Sequence, residues 1–409
     1  MEKEAVSGIV LILLLINIIT MAFSISPVSA SLRVHNIDTA EDFATIQEAI
    51  DDPGTLDKHT ILVDSGTYYE HVVVDKSISL IGENRDTTII DGNKTRDVIE
   101  VKADSVIISG FTIQNGGRNG GGHGRGIWVW NCNSVNVTDN IVSHNKYGIW
   151  LHTSNYSIII GNVITSNNGT GVFWWKNNGT IILHNTISDN AYDGVFMRYV
   201  TYSIVRENTI TANGQSGIGL HDSSGNIIIK NTISNNELDG VYSSYSNGNI
   251  ISGNHMKAND WSGIWLSDSS NNTISVNNIT NNGWGTEEGS GISLQSSSNN
   301  YIYHNNFINN TQQVYDESWD DPYVLLSVNI WDDGYPSGGN YWSDYEDKYP
   351  YAEEIDGIWD TPYVIDENNQ DNYPIVPEFP TWTSMLLLLI VLTVVMTIYK
   401  RRLLKTPIH

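Results

Sequence analysis

The chain has 409 residues, with 46 Asp and Glu against 21 Lys and Arg, a formal net charge of -25. Nucleic-acid binding needs clustered cations to displace counterions, so this balance excludes it and suits cations or neutral partners instead. A single cysteine, Cys132, excludes an intrachain disulfide, leaving packing and hydrogen bonds to hold the fold.

Residues 1–30 read as a secretory signal. Gly8 to Ile25 is almost wholly apolar, and Pro27-Val28-Ser29-Ala30 places small residues for signal peptidase. Lys3 stands between Glu2 and Glu4, a poor charged leader, so an uncleaved N-terminal anchor stays open. Residues 31–123 form an N-terminal cap and first irregular rungs. Thr45 to Ile50 predicts a short helix with Asp42 near its start. Short β-type runs follow at Thr60 to Val63, Ser77 to Ile81, Thr88 to Asp91 and Val106 to Ile113.

Residues 124–310 repeat. Glycines open a G-I/V-x-aliphatic run at Gly126, Gly148, Gly171, Gly194, Gly217, Gly240, Gly263 and Gly291, in steps of 22, 23, 23, 23, 23, 23 and 28. Two asparagine ladders keep the same steps, from Asn140 to Asn305 and from Asn145 to Asn310. The five extra residues of the last repeat fall in Gly283 to Ser290, which reads as a loop. Helical-hairpin repeats are longer, at about 33 residues or more. Each repeat here holds about three short β-type runs punctuated by Gly, Asn and Ser. Alternation sets three inward columns, led by Ile127, Val137 and Val142, stacking about 4.8 Å apart. The asparagines are expected at the turns, where Asn tolerates left-handed φ and its amide bonds to the rungs above and below. The expected fold is all-β: a right-handed, single-stranded parallel β-helix of about 22–23 residues per rung. An N-terminal helical cap and an irregular C-terminal cap are expected to close it.

Residues 311–375 break the period and are dense in Asp, Trp, Tyr and Gly, as suits a cap over the last rung. Asp332, Asp333, Asp344, Asp347 and Asp356 there offer oxygens for Ca²⁺, without a known calcium-loop spacing. Residues 376–409 hold an apolar run, Trp382 to Tyr399, then Lys400, Arg401, Arg402 and Lys405. Its 18 residues are near the lower limit for a membrane span, with the basic tail on the cytoplasmic side. Triplets beginning at Asn93, Asn136, Asn155, Asn168, Asn178, Asn271, Asn278 and Asn309 match the glycosylation pattern.

The G-I-x-L … S … N-x-I-x-x-N repeat resembles the right-handed β-helix repeats of the carbohydrate-binding and sugar-hydrolase group, to which NosD-type periplasmic proteins belong. Thr45-Ile46-Gln47-Glu48-Ala49-Ile50, Gly66-Thr67-Tyr68-Tyr69-Glu70, Leu80-Ile81-Gly82 and Ile89-Ile90-Asp91-Gly92 are similar to the opening of those proteins. Asn329-Ile330-Trp331-Asp332-Asp333-Gly334-Tyr335 and Gly338-Gly339-Asn340-Tyr341-Trp342-Ser343-Asp344-Tyr345 resemble the closing segment of archaeal surface members. Val376-Pro377-Glu378-Phe379-Pro380 before the apolar run looks like an archaeal sorting signal, which implies a C-terminal anchor kept or exchanged for a lipid. The resemblance implies an exported protein. It leaves function open, because the group mixes enzymes with binding proteins. The copper role of NosD-type proteins is disfavoured, because copper sites want clustered Cys, Met or His. His123, His144, His152, His184, His221, His255 and His304 are scattered instead.

Two residues past the glycines come Trp128, Trp150, Phe173, Phe196, Gly219, Tyr242 and Trp265. Four past come Trp130, His152, Trp175, Arg198, His221, Ser244 and Ser267. Both sets should face solvent on one sheet, and flat rings beside hydrogen-bonding groups suit the C–H faces of sugars. Binding of an extended polysaccharide or envelope glycan is therefore expected along this face. The same face also offers Asp193, Arg198, His221, Asp222 and Asp239, acids and bases that would serve a polysaccharide hydrolase, lyase or epimerase. A structural envelope protein is the remaining alternative.

Overall fold

The structure is a computed structural model and describes residues 33–117, 124–285 and 289–376. Each repeat makes one turn of three short strands. The turn beginning at Val172 contains Val172–Trp175, Ile181–Leu183 and Thr186–Ser188. These stack in register, parallel, on Val195–Arg198, Ile204–Arg206 and Thr209–Thr211. Repetition yields three sheets of 13, 12 and 11 strands, a parallel β-helix of about eleven turns. Among the described residues antiparallel pairing is confined to the ends, at Val34–Asn36 with its two partners and, in the C-terminal segment, in two small pairs and the Ile358–Ile375 bridge. The loop at Gly283 to Ser290 does not disturb the stack, since Ile264 still pairs with Ile292.

The inward columns form one core. Ile149, Val172, Val195 and Ile218 are buried, as are Ile159, Ile182, Val205 and Ile228, and Ile164, Ile187, Ile210 and Ile233. Rungs meet closely at the glycine column: a Cβ on Gly148 would lie 2.4 Å from the Gly171 carbonyl oxygen.

The asparagines are inside the coil, and their backbone is not the left-handed one. Left-handed φ falls on the residue just before each: Asp139 (53°), His184 (54°), Glu207 (54°), Lys230 (56°), Val276 (59°) and His304 (56°), with Gly161 and Gly253 in the other rungs. The second ladder repeats this with His144, Ser166, Asp189, Ala212, Asn235, Ala258, Asn281 and Asn309. The left-handed residue turns its own side chain outward and swings the next one into the interior. There Asn208 donates its backbone N–H (3.0 Å) and its Nδ2 (3.0 Å) to Oδ1 of Asn231, one rung on. Its Nδ2 also reaches the carbonyls of Ile182 (3.1 Å) and Arg206 (2.9 Å). Each Nδ2 of these two ladders is paired, as burial demands, whereas at the corner Asn177 Nδ2 is buried without a partner.

Both ends are closed. Helix Ile46–Asp51 buries Ile46, Ala49 and Ile50, and its N-cap is Thr45. Asp42 is not at its start but in strand Glu41–Phe43, bonded to His35 at 2.6 Å. Glu70 accepts the N–H groups of Ile46 (3.1 Å) and Gln47 (3.0 Å), complementing the positive end of the helix. At the far end Trp342 stacks on Phe307 at 4.5 Å, and Tyr363 stacks on Trp342 at 4.2 Å. The first ladder runs on through Asn340 to Asp371, a third, Asn226–Asn249–Asn272–Asn300–Asn329, ends on Asn369, and the second ends at Asn310, whose Nδ2 donates to Gln313 Oε1 (3.0 Å). Asp371 accepts from Asn340 N–H (2.6 Å) and Trp342 Nε1 (2.9 Å); Asn369 accepts from Asn329 N–H (2.9 Å) and Trp331 Nε1 (3.1 Å). Among the described residues no helix is long and apolar enough to cross a membrane. The expected signal segment and the apolar run Trp382 to Tyr399 lie outside the described residues.

Val276 holds the left-handed position with a β-branched side chain that is 60% exposed and so loses little on removal. Left-handed φ costs an L-residue roughly 1–2 kcal/mol. Val276→Gly is therefore expected to raise stability by about 1 kcal/mol in urea unfolding; an unchanged or lowered midpoint would contradict strain at this turn.

Candidate functional site

The eleven-stranded sheet carries the expected rings. Trp128, Trp150, Phe173 and Phe196 pair rung to rung in one outward row, each half-buried between its neighbours. Trp150 and Phe173 lie 4.5 Å apart, Phe173 and Phe196 5.4 Å. Beyond Gly219 the row resumes with Tyr242 and Trp265, 5.4 Å apart. A second outward row holds Trp130, His152, Trp175, Arg198, His221, Ser244 and Ser267, but Ser244 and Ser267 are buried rather than open to solvent. Trp130 stacks on Trp128 at 5.6 Å, and His152 on Trp175 at 6.2 Å.

Three details depart from a plain row of open rings. Arg125, held by Asp97 at 2.8 Å, lies 3.6 Å over Trp128 and covers that ring. Phe196 leans over Gly219, where a Cβ would meet its ring at 2.9 Å, so the glycine is buried and the row is bridged there. Tyr147 stands edge-on to Trp150 at 4.9 Å, and Trp261 lies 5.7 Å from Trp265. Tyr147 and Trp261 escaped the sequence reading because they precede the repeat glycines. Alternation along a strand does not fix facing at that corner, and the recurrence of the column was the available signal.

The five acid and base candidates fall into two groups on opposite edges of this sheet. On the leading edge Ser216 N–H donates to Asp193 Oδ1 (3.2 Å), and Ser262 N–H donates to Asp239 Oδ1 (3.0 Å). Asp239 does not face solvent: it is 1% exposed. Burial pushes the Asp193 carboxyl up to about 7. Burial, with the neighbouring Asp193 charge adding to it, pushes Asp239 up to about 7 as well. On the trailing edge Arg198 and His221 are paired in register. The Arg198 guanidinium lies over Trp175 (5.0 Å) and Tyr199 (5.4 Å), and His221 Nδ1 contacts Asp222 Oδ2 at 2.7 Å. Ser216, between the two aspartates, was not singled out from sequence. Chemically, the leading edge holds protons close to neutrality and the trailing edge offers hydrogen-bond donors. The two edges do not converge on one point.

Because both aspartates keep their protons to higher pH folded than unfolded, the stability they contribute is complete below about pH 4. It is lost as pH rises through about 7, the value to which burial takes them. Asp239→Asn keeps an acceptor for Ser262 but has no proton to lose. The variant is expected to show a shallower fall in stability between pH 4.5 and 7.5 than the parent in urea titrations; equal slopes would refute the burial effect.

A family model described as "Periplasmic copper-binding protein (NosD)" matches residues 54–238 and 205–347. A cell surface glycoprotein of Methanothermus fervidus is 33% identical over 137 residues, which covers 33% of this chain and 22% of that protein. The match thus spans about a fifth of that relative's length. The A-module of the Azotobacter vinelandii mannuronan C-5 epimerase AlgE6 superposes with a TM-score of 0.51 at 16% identity, covering 69% of this chain and 92% of that one. The DFA-IIIase of Arthrobacter chlorophenolicus superposes with a TM-score of 0.50 at 14% identity, over 72% and 86%. At these identities the structural likeness is one of fold. The described residues do not fit a copper site. Among the described residues no three His, Cys, Asp or Glu side chains converge to hold a metal, and the acidic residues offered for Ca²⁺ are likewise not gathered. Cys132 is buried, its thiol pushed up to about 11 by burial, and Met197 and Met256 lie in the core. With its family model spanning most of the solenoid, the chain belongs to the NosD family of parallel β-helix proteins.

Proposed function

We propose that this is an extracytoplasmic, cell-surface β-helix protein that binds an extended polysaccharide along the aromatic sheet. The observation that carries this reading is the continuous outward row Trp150–Phe173–Phe196, with rings 4.5 and 5.4 Å apart along the coil axis. Sugar rings present C–H faces between hydroxyls, so a chain lying along the axis gains apolar contact from the row. It gains hydrogen bonds from His152, Trp175 and Arg198 beside it. Rings fixed on strands lose little freedom on binding, which favours affinity.

Location rests on the apolar segment at Gly8 to Ile25, the tail after Trp382, and the periplasmic and cell-surface descriptions of the relatives. In this reading the apolar run Trp382 to Tyr399, or a lipid replacing it, anchors the protein to the outer face of the membrane. Action on the sugar is the second reading. The raised Asp193 carboxyl favours it as an acid group, with Asp239, Arg198, His221 and Asp222 as further candidates. The separation of these groups onto two edges favours binding without cleavage.

A glycan-array screen with product analysis of each hit tests this. Trp150→Ala and Trp175→Ala are each expected to weaken binding about tenfold, roughly 1.4 kcal/mol, and to leave the glycan intact. New reducing ends or unsaturated sugars, lost in Asp193→Ala, would instead establish an enzyme. Absence of binding to every glycan would refute both readings.

A further inference from the structure

The aromatic sheet is not electrostatically uniform. Three successive rungs, those of Gly148, Gly171 and Gly194, carry Lys146, Lys176 and Arg198 around the row Trp150–Phe173–Phe196. Lys146 lies on the leading edge, 5.7 Å from the Tyr147 ring; Lys176 and Arg198 lie on the trailing edge. The ion pairs among the described residues engage other cations: Arg33, Arg85, Lys102, Arg125 and Arg206. Among the described residues Lys146, Lys176 and Arg198 form no ion pair with a carboxylate. The one acid of these rungs at the sheet edge, Asp193, is half-buried and turned to Ser216. In a chain of 46 acidic and 21 basic residues, three uncompensated cations around one patch of rings are a local reversal of the global field. The next rungs reverse it again. Past Arg198 the outward positions are His221, Ser244, Ser267 and Gln295, and the turn beside them carries Asp222 and Asp268.

Arg198 is also prepared for a ligand. Stacking on Trp175 and Tyr199 fixes the guanidinium plane, and its Nε is buried without a hydrogen-bond partner. A buried donor left unmade costs about 1–3 kcal/mol, and an oxyanion beside a planar guanidinium relieves this by forked hydrogen bonds. The Trp150 Nε1 donor is likewise buried and unpartnered on the same patch. Rings take the sugar faces, and cations on both edges take the groups that project from them.

We infer that the rungs of Trp150, Phe173 and Phe196 bind an acidic polysaccharide, its carboxylate or sulfate groups seated on Arg198, Lys176 and Lys146. This rests on the polysaccharide-binding reading and names its ligand class. The test is titration calorimetry of the whole chain with polygalacturonate, its carboxyl-reduced neutral counterpart, dextran sulfate and dextran, at low and high NaCl. Each acidic polymer that binds is expected to bind at least tenfold more tightly than its neutral twin, and more weakly as salt rises. Comparison of polygalacturonate with dextran sulfate distinguishes carboxylate from sulfate. Arg198→Met, which keeps the stacked stem, is expected to lower acidic-glycan affinity about tenfold, and by more than it lowers neutral-glycan affinity. Arg198→Lys retains salt-dependent binding and controls for folding. Equal or tighter binding of the neutral twins, or an Arg198→Met variant with undiminished acidic-glycan affinity, overturns the ligand class while leaving polysaccharide binding in place. Failure of all polymers overturns both.

Discussion

The structure depends on one interaction, the hydrogen bond passed from a buried asparagine to the asparagine of the next rung. One Oδ1 accepts two N–H groups from the rung before it, while the amide nitrogen donates onward to Oδ1 and back to main-chain carbonyls, as at Asn185, Asn208 and Asn231. Any slip in register would leave these groups unpaired in a dry interior, which is far costlier than losing one contact. The aliphatic columns supply most of the buried area but would tolerate sliding, since Ile on Val resembles Ile on Ile. The amide ladders make one alignment the only satisfied one.

The candidate face follows from that alignment. With the rungs held in register, every position of the repeat becomes a straight row along the axis about 4.8 Å per step. Rings two residues past each glycine must then line up, whatever they are. Glycine is retained because the rung ahead leaves no room for a Cβ; its Cα–Cβ vector points at a carbonyl oxygen one rung on, 2.7 Å at Gly171 and Gly194. A rigid row is the geometry that an extended polymer matches and a compact ligand does not.

Much of this was legible in the sequence because a solenoid writes its contacts at a fixed spacing. The inward columns, the closing segments and the outward rings of the long strand all follow from period and alternation. What was not legible lies where alternation stops. The corner residue before each glycine faces inward or outward according to backbone angles, so Asp239 proved buried and Tyr147 proved to be part of the ring patch. The left-handed angle was expected on Asn and belongs to its predecessor, a position occupied by residues as different as Asp, Lys and Val. Contacts between non-equivalent positions, such as Arg125 over Trp128 and Phe196 over Gly219, carry no periodic signature at all.

The ladders also have a direction, each asparagine donating toward the C-terminal end, so the last rung must find an acceptor. Asn369 and Asp371 provide it for two ladders, each taking an asparagine N–H together with a tryptophan indole, and Gln313 Oε1 takes the Nδ2 of Asn310 in the other. Every interior rung presents to its successor the same surface it meets on its predecessor. Whole units of 23 residues can therefore be inserted or deleted between the caps without creating a new interface. The length of polymer spanned becomes a copy number, changed by duplication of a short stretch of coding sequence, while the chemistry of each step is edited separately. In that sense the coil is a ruler whose two ends are fixed and whose graduations can be added one at a time.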